Sequence, residues 1–239
     1  DVYKRQGYHM GDMACSIGQH TWNAAVWSAH AATHAAALVL EGERATYALC
    51  RPPGHHAYAD RANGFTYLNN AAIAAQYLRR QHPRVAILDV DVHHGNGTQG
   101  IFWRRSDVLT LSLHGDPHFC TPFFTGHAHE RGEGEGLGYN LNYPLARGTG
   151  TDDYLHALAR ACQAIRDFQP GALVVALGLD AHERDPYKAL AVSTEGFARI
   201  TGEIARLGLP TVFVQEGGYL SPDLPLNLAS ALRGFEAVA

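Results

Sequence analysis

An apolar run that passes directly into carboxylates and imidazoles constrains this chain more than any other feature. Val85, Ala86, Ile87 and Leu88 are followed by Asp89-Val90-Asp91-Val92-His93-His94-Gly95-Asn96-Gly97. A short, unbroken apolar run reads as a strand buried on both faces, the kind found inside parallel sheets. The glycines beyond it allow a sharp turn. Side chains alternate along a strand, so Asp89, Asp91 and His93 are expected on one face. Aspartate and histidine presented together at a rigid strand end can hold a divalent metal.

The pattern recurs along the chain. Helices are predicted at Thr21–Glu41, Tyr67–Gln81, Thr98–Arg105, Asp152–Phe168, Thr194–Leu207 and Leu224–Val238. Strands are predicted at Thr46–Cys50, Arg84–Val90, Val108–Leu113, Ala172–Leu177 and Thr211–Val214. Strands separated by helix-length segments imply βαβ units and a parallel sheet. From His114 to about Gly150 a single long loop is expected.

Composition sets bounds on the whole. With 239 residues, 46% of them hydrophobic, the chain can bury one sizeable core, and one domain is expected. A formal net charge of -4 argues against nucleic acid as the main partner. The absence of a bilayer-length apolar run and of a secretory signal leads to the expectation of no membrane association and a cytoplasmic location. Cys15, Cys50, Cys120 and Cys162 are scattered without a C-x-x-C, and read as buried small hydrophobes.

Each predicted strand is followed by a polar cluster. The clusters are Arg51-Pro52-Pro53-Gly54-His55-His56-Ala57, Asp89–Gly97, Ser112-Leu113-His114, Gly178-Leu179-Asp180-Ala181-His182 and Glu216-Gly217-Gly218-Tyr219. Open α/β sheets place their sites at the carboxyl ends of strands, so these clusters read as one active site. His30 and His34 lie one helical turn apart and are expected on a solvated or half-buried helix face. His114, His118, His127 and His129 fall in the long loop; a rim role is expected for one of them at most, and the sequence does not pick which.

Arg51–Ala57, Asn63-Gly64-Phe65, Leu68-Asn69-Asn70, Asp89–Gly97, Asp180 with Asp185-Pro186, and Glu216–Tyr219, in this order, resemble the zinc-dependent histone deacetylase superfamily. His114-Gly115-Asp116-Pro117, the glycine-rich run from Arg131 to Gly138 and Asn140-Leu141-Asn142 are similar to bacterial acetylpolyamine amidohydrolases. The resemblance implies an arginase/deacetylase-type three-layer αβα fold with a mainly parallel sheet. It implies hydrolysis of N-acetyl amides, either acetylpolyamines or acetyl-lysine-type substrates, to acetate and a primary amine. Asp91, His93 and Asp180 are the implied zinc ligands, three protein donors leaving a position open for water and substrate. His55 and His56 are the implied acid–base pair, Asp89 and Asn96 their orienting partners, and Tyr219 the donor to the developing oxyanion. A structural potassium ion is implied at Asp89, Ser112 and Leu113. Gly64 and Phe65, with Phe123 or Phe124, are the implied channel walls. Family members carry more sequence ahead of the paired histidines. An N-terminally truncated chain is therefore expected, with residues 1–6 a non-native leader and 7–239 a single, partial catalytic domain. A homodimer is expected for the full-length protein.

Two rival readings share parts of this pattern. Arginase-type enzymes bind two manganese ions through D-x-H-x-D and D-x-D patterns, whereas Gly95 and His182 stand at the positions those extra carboxylates require. A catalytically inactive acyl-ligand binder would have lost Tyr219 or a zinc ligand, and all are present.

Overall fold

The computed structural model describes residues 8, 9, 12 and 14–239, so the expected leader at 1–6 lies outside the described residues. A short antiparallel pair, β1 (Tyr8–His9) and β2 (Ser16–Ile17), precedes helix α1 (Thr21–Leu40). Then come β3 (Ala45–Ala48), α2 (Asn70–Leu78), β4 (Val85–Asp89), α3 (Asn96–Phe102), β5 (Val108–Gly115) and β6 (Asn140–Leu145). The chain closes with α4 (Thr151–Phe168), β7 (Ala172–Leu177), α5 (Thr194–Ala205), β8 (Thr211–Gln215) and α6 (Leu224–Glu236). Local chemistry sets several boundaries. The Asn69 side chain accepts from the Ala72 N–H at 2.9 Å to cap α2, and Ser193 caps α5 by accepting from Gly196 N–H at 3.0 Å. Gln169, in the left-handed region, ends α4.

The six-stranded sheet has the order β3-β8-β7-β4-β5-β6, and all its pairings are parallel. Apolar side chains on both faces explain why helices cover both. Val85 and Ile87 of β4 pack with Ala36, Val39 and Leu78 of α1 and α2. Ala86 and Leu88 face the other way, into Leu158, Ile165, Phe197 and Ile200 of α4 and α5. The result is the expected three-layer αβα arrangement. Among the described residues no helix is long and apolar enough to cross a membrane.

The strand order fixes where a site can form. From β4 the chain moves outward through β5 to β6, then returns to lay β7 on the opposite side of β4. Such a reversal opens a crevice at the carboxyl ends of the two diverging strands. Asp89–His93 leave β4 at this point, and Asp180 follows β7.

Two expectations need correction. The long loop from His114 contains β6, and β5 itself runs on to Gly115. Asn140, Asn142 and Pro144 disfavour a strand assignment, but β6 is an edge strand, where proline's missing N–H is tolerated. Strand β4 also stops at Asp89, so alternation cannot align Asp91 and His93. They converge through tight turns instead: Asp91 N–H donates to Asp89 Oδ1 at 3.1 Å, and His93 N–H donates to Asp91 Oδ1 at 2.8 Å.

Candidate active site

Asp91, His93 and Asp180 are the one group of three potential metal-ligating side chains that converge among the described residues, their donor atoms all within 4.8 Å of one another. Asp91 and Asp180 are fully buried and His93 is 5% exposed. His93 Nδ1 lies 3.1 Å from Asp91 Oδ1 and 3.1 Å from Asp180 Oδ2. The backbone holds the carboxylates in place: Val92 N–H donates to Asp180 Oδ1 at 2.9 Å, and Gly217 N–H to Asp91 Oδ2 at 2.7 Å. Gly217 approaches so closely that a Cβ there would sit 2.2 Å from Asp180 Oδ2.

This donor set fits a divalent cation. Asp180 Oδ2 is buried and, although His93 Nδ1 lies 3.1 Å away, makes no well-aligned hydrogen bond, a costly state unless a cation completes it. Although burial disfavours the imidazolium, Asp180 and Asp91 raise the His93 pKa well above its ordinary value. The pocket's charge therefore calls for a cation. Nitrogen and oxygen donors in a set of three suit zinc with an open position. A second metal fits poorly. A Cβ at Gly95 would meet Asp89 Oδ2 at 2.2 Å, leaving no room for a carboxylate. His182 faces Thr194 Oγ1 at 3.3 Å instead of joining the triad.

The paired histidines stand beside this cluster with unequal partners. His55 Nδ1 donates to Asp89 Oδ2 at 2.9 Å, whereas His56 Nδ1 donates to the neutral Asn96 Oδ1 at 2.5 Å. Asn96 Nδ2 donates to Tyr58 Oη at 3.1 Å, which aims its carbonyl at His56. The imidazole rings are 4.0 Å apart. Against the effect of burial, Asp91 and Asp89 push His55 up to about 10. Burial, together with His55 and His93, holds His56 well below the ordinary imidazole range. One imidazole therefore favours its charged form and the other its neutral form. Burial raises the Tyr219 pKa, which keeps the phenol a proton donor.

His55, His56, Asp91, His93 and Tyr219 all line one cleft of about 360 Å³, with Gly64, Phe65 and Phe124 in its walls. Phe123, the other candidate for the wall, does not line it. Gly64, at φ 50°, turns the wall so tightly that a Cβ would lie 2.5 Å from the His56 ring. Asp12 Oδ2 accepts the Gly64 N–H at 2.8 Å and brings a carboxylate to the cleft. A roomier groove of about 620 Å³ between Trp22, Tyr58 and Arg105 has none of the clustered histidines. Volume alone does not mark the site.

Sequence reasoning overlooked Tyr187, whose ring lies 4.6 Å from Tyr219 and 5.7 Å from His93. Its signal was the neighbouring Asp185, a buried carboxylate that accepts the Tyr187 N–H at 2.9 Å. It also overlooked the brace behind the site. His94 Nε2 donates to Asn142 Oδ1 at 3.1 Å, and Asn142 and Asn140 both donate to Gln99 Oε1, at 2.9 and 2.8 Å. His114 Nε2 donates to the Gly126 carbonyl at 2.8 Å, and its Nδ1 accepts from Ser112 Oγ at 2.8 Å. Asn140-Leu141-Asn142 was visible as a motif, but its role depends on β6, which the pattern concealed. His30 and His34 are exposed on α1, and all four cysteines are buried and free.

Comparison with known proteins agrees with this geometry. The Histone deacetylase domain matches residues 2–235. The acetylpolyamine amidohydrolase of Burkholderia pseudomallei is 52% identical over 99% of this chain and 70% of its own length. Acetylpolyamine amidohydrolase 1 of Pseudomonas aeruginosa is 49% identical over 98% of this chain and 68% of its own. The crystal structure of the Burkholderia pseudomallei acetylpolyamine aminohydrolase superposes with a TM-score of 0.94, covering 96% of this chain and 67% of that one. Sequence, fold and site geometry agree: this chain belongs to the histone deacetylase domain family of amidohydrolases and deacetylases.

Proposed function

We propose that this chain hydrolyses N-acetyl amides, acetylpolyamines foremost, to acetate and a primary amine, using one zinc ion held by Asp91, His93 and Asp180. One observation carries the reading: two ligands of a buried three-donor cluster, an unequal imidazole pair and a phenol line the same cleft. Zinc in that position would act as a Lewis acid on the amide carbonyl and lower the pKa of water.

The chain's own residues supply the rest. His56, neutral and with its Nδ1 proton fixed on Asn96, offers Nε2 to take the proton of the attacking water. His55, paired with Asp89, stands as the charged partner that stabilises negative charge and can deliver a proton to the leaving amine. The Tyr219 hydroxyl donates to the oxyanion, an effect commonly worth about 3–4 kcal/mol. Phe65 and Phe124 form apolar walls for the acyl-amine stem, and the Asp12 carboxylate suits a cationic tail. A potassium ion at Asp89, Ser112 and Leu113 belongs to the same proposal. Asp89 and Ser112 are register partners at the ends of β4 and β5, which brings these donors side by side.

The acetylpolyamine preference draws on the names of the relatives, which say what those proteins act on. The test is parallel turnover of N-acetylputrescine, N-acetylspermidine and an acetyl-lysine peptide by zinc-loaded protein. The acetylpolyamines should be the better substrates. A wide margin for the peptide would end the polyamine assignment, and no turnover of any of them would end the hydrolase reading.

A further inference from the structure

Glu216 follows β8 and is 4% exposed, yet the chemistry above leaves it without a task. Its Oε2 accepts two backbone N–H groups from the other side of the site, Gly54 at 2.7 Å and His55 at 3.0 Å. A carboxyl oxygen accepts such bonds in either protonation state, so the link survives a proton on the other oxygen. Its own N–H donates to the Leu177 carbonyl at 3.0 Å, which ties it to the end of β7. The next residue, Gly217, donates to Asp91, and Tyr219 follows two residues later in the cleft wall. A segment of four residues thus bonds the backbone of Gly54 and His55 and a metal-ligating carboxylate, and carries the oxyanion donor.

The Gly54–His55 segment needs such an anchor. Strand β3 ends at Ala48, so no ladder bonds hold the backbone that presents the imidazoles. On its other side Gly54 is pressed against α2, where a Cβ would lie 2.3 Å from the Asn70 nitrogen. The segment is therefore held between the start of α2, the Gly97 and Thr98 N–H groups that donate to the His55 carbonyl at 3.0 and 3.1 Å, and the Glu216 carboxylate. A shift of any of these would displace His55 and His56 relative to Tyr219.

We propose that Glu216 is a positioning residue: its carboxylate locks the backbone of Gly54 and His55 to the Gly217–Tyr219 loop and so keeps the imidazole pair in register with the phenol. The inference rests on the amide-hydrolase reading for its catalytic consequence. Misplacing catalytic groups by about 1 Å can cost roughly 100-fold in rate. Glu216→Ala should lower kcat by roughly 10- to 100-fold, with KM within about twofold and zinc content unchanged. Glu216→Gln, which keeps one acceptor oxygen, should recover most of that loss. Glu216→Asp, which withdraws the carboxylate by one methylene, should not. Hydrogen exchange of the Gly54 and His55 amides should quicken by at least about tenfold in the alanine variant.

Wild-type kcat in both the alanine and aspartate variants would overturn the proposal, as would equal losses of kcat and zinc in the alanine and glutamine variants. If the alanine variant does not fold, the glutamine and aspartate variants decide by the same kcat comparison. If wild-type protein turns over no acetylated amine, the hydrolase reading fails while the amide exchange rates still decide the role of Glu216.

Discussion

The floor and the rim of the cleft are built on different physical terms. On the floor, Asp89, Asp91, His93, Asn96 and Asp180 are all buried, and backbone N–H groups or neighbouring side chains hold their positions. At the rim, Phe65 is 50% exposed, Phe124 66% and Tyr187 51%. Parallel strands fix the floor, because their ends cannot move without disturbing the sheet. Loops carry the rim and can vary without cost to the core. Under the proposed function, the floor would set the reaction class and the rim would select the amine.

Substitutions should separate these two regions by the size and kind of effect. The largest effect belongs to the metal ligands. Asp180→Ala should abolish zinc binding and reduce turnover to background, as read by metal analysis and hydrolysis assays. Next comes Tyr219→Phe, which should cut kcat by about 10²–10³-fold while zinc stays bound; near-normal kcat would refute its assigned role. His56→Ala should cost about 10²–10⁴-fold in kcat, and His55→Ala less, since only His56 is the proposed base. Equal losses, or the reverse order, would reassign the two roles.

A smaller effect should appear in stability. Burial raises the Glu216 carboxyl to about 7, so between its ordinary value and about 7 the folded protein holds a proton that the unfolded chain has released. Stability from this group therefore falls as pH rises through that window. Glu216→Gln removes the titration, and the variant should gain on wild type by on the order of 1–3 kcal/mol between about pH 4.5 and about pH 7. Urea midpoints measured at both ends of the window, on metal-free protein, would read it. A constant difference would refute the assignment. The smallest effect belongs to the rim. Phe124→Ala should raise KM by roughly tenfold, about the worth of one lost apolar contact, and Phe123→Ala by less than about twofold. Similar KM values for the two would place both rings outside the channel.

The same division governs how much the sequence disclosed. Apolar runs such as Val85–Leu88 and Ala172–Leu177 announce buried parallel strands, and the polar clusters after them coincide with the floor. β6 was hidden because asparagine is uncommon in strands and a mid-strand proline such as Pro144 fits only at a sheet edge, and edge placement is a property of the whole topology. The convergence of Asp91 and His93 was anticipated for the wrong local reason, since turns bonded to the preceding carboxylates replace strand alternation. The choice between Phe123 and Phe124 was not legible at all. Two adjacent loop aromatics differ only in the direction the folded loop gives them. Glu216 stood in a recognised motif, yet its contact spans more than 160 residues of chain, a pairing that no spacing rule predicts.

The central claim is a single catalytic metal on the floor of the cleft. Metal content per chain, measured on protein loaded with zinc and manganese and then freed of loosely bound ions, tests it most directly. The account predicts one tightly held zinc per chain, absent from Asp180→Ala. Two manganese ions per chain, or no tightly held metal, would contradict it.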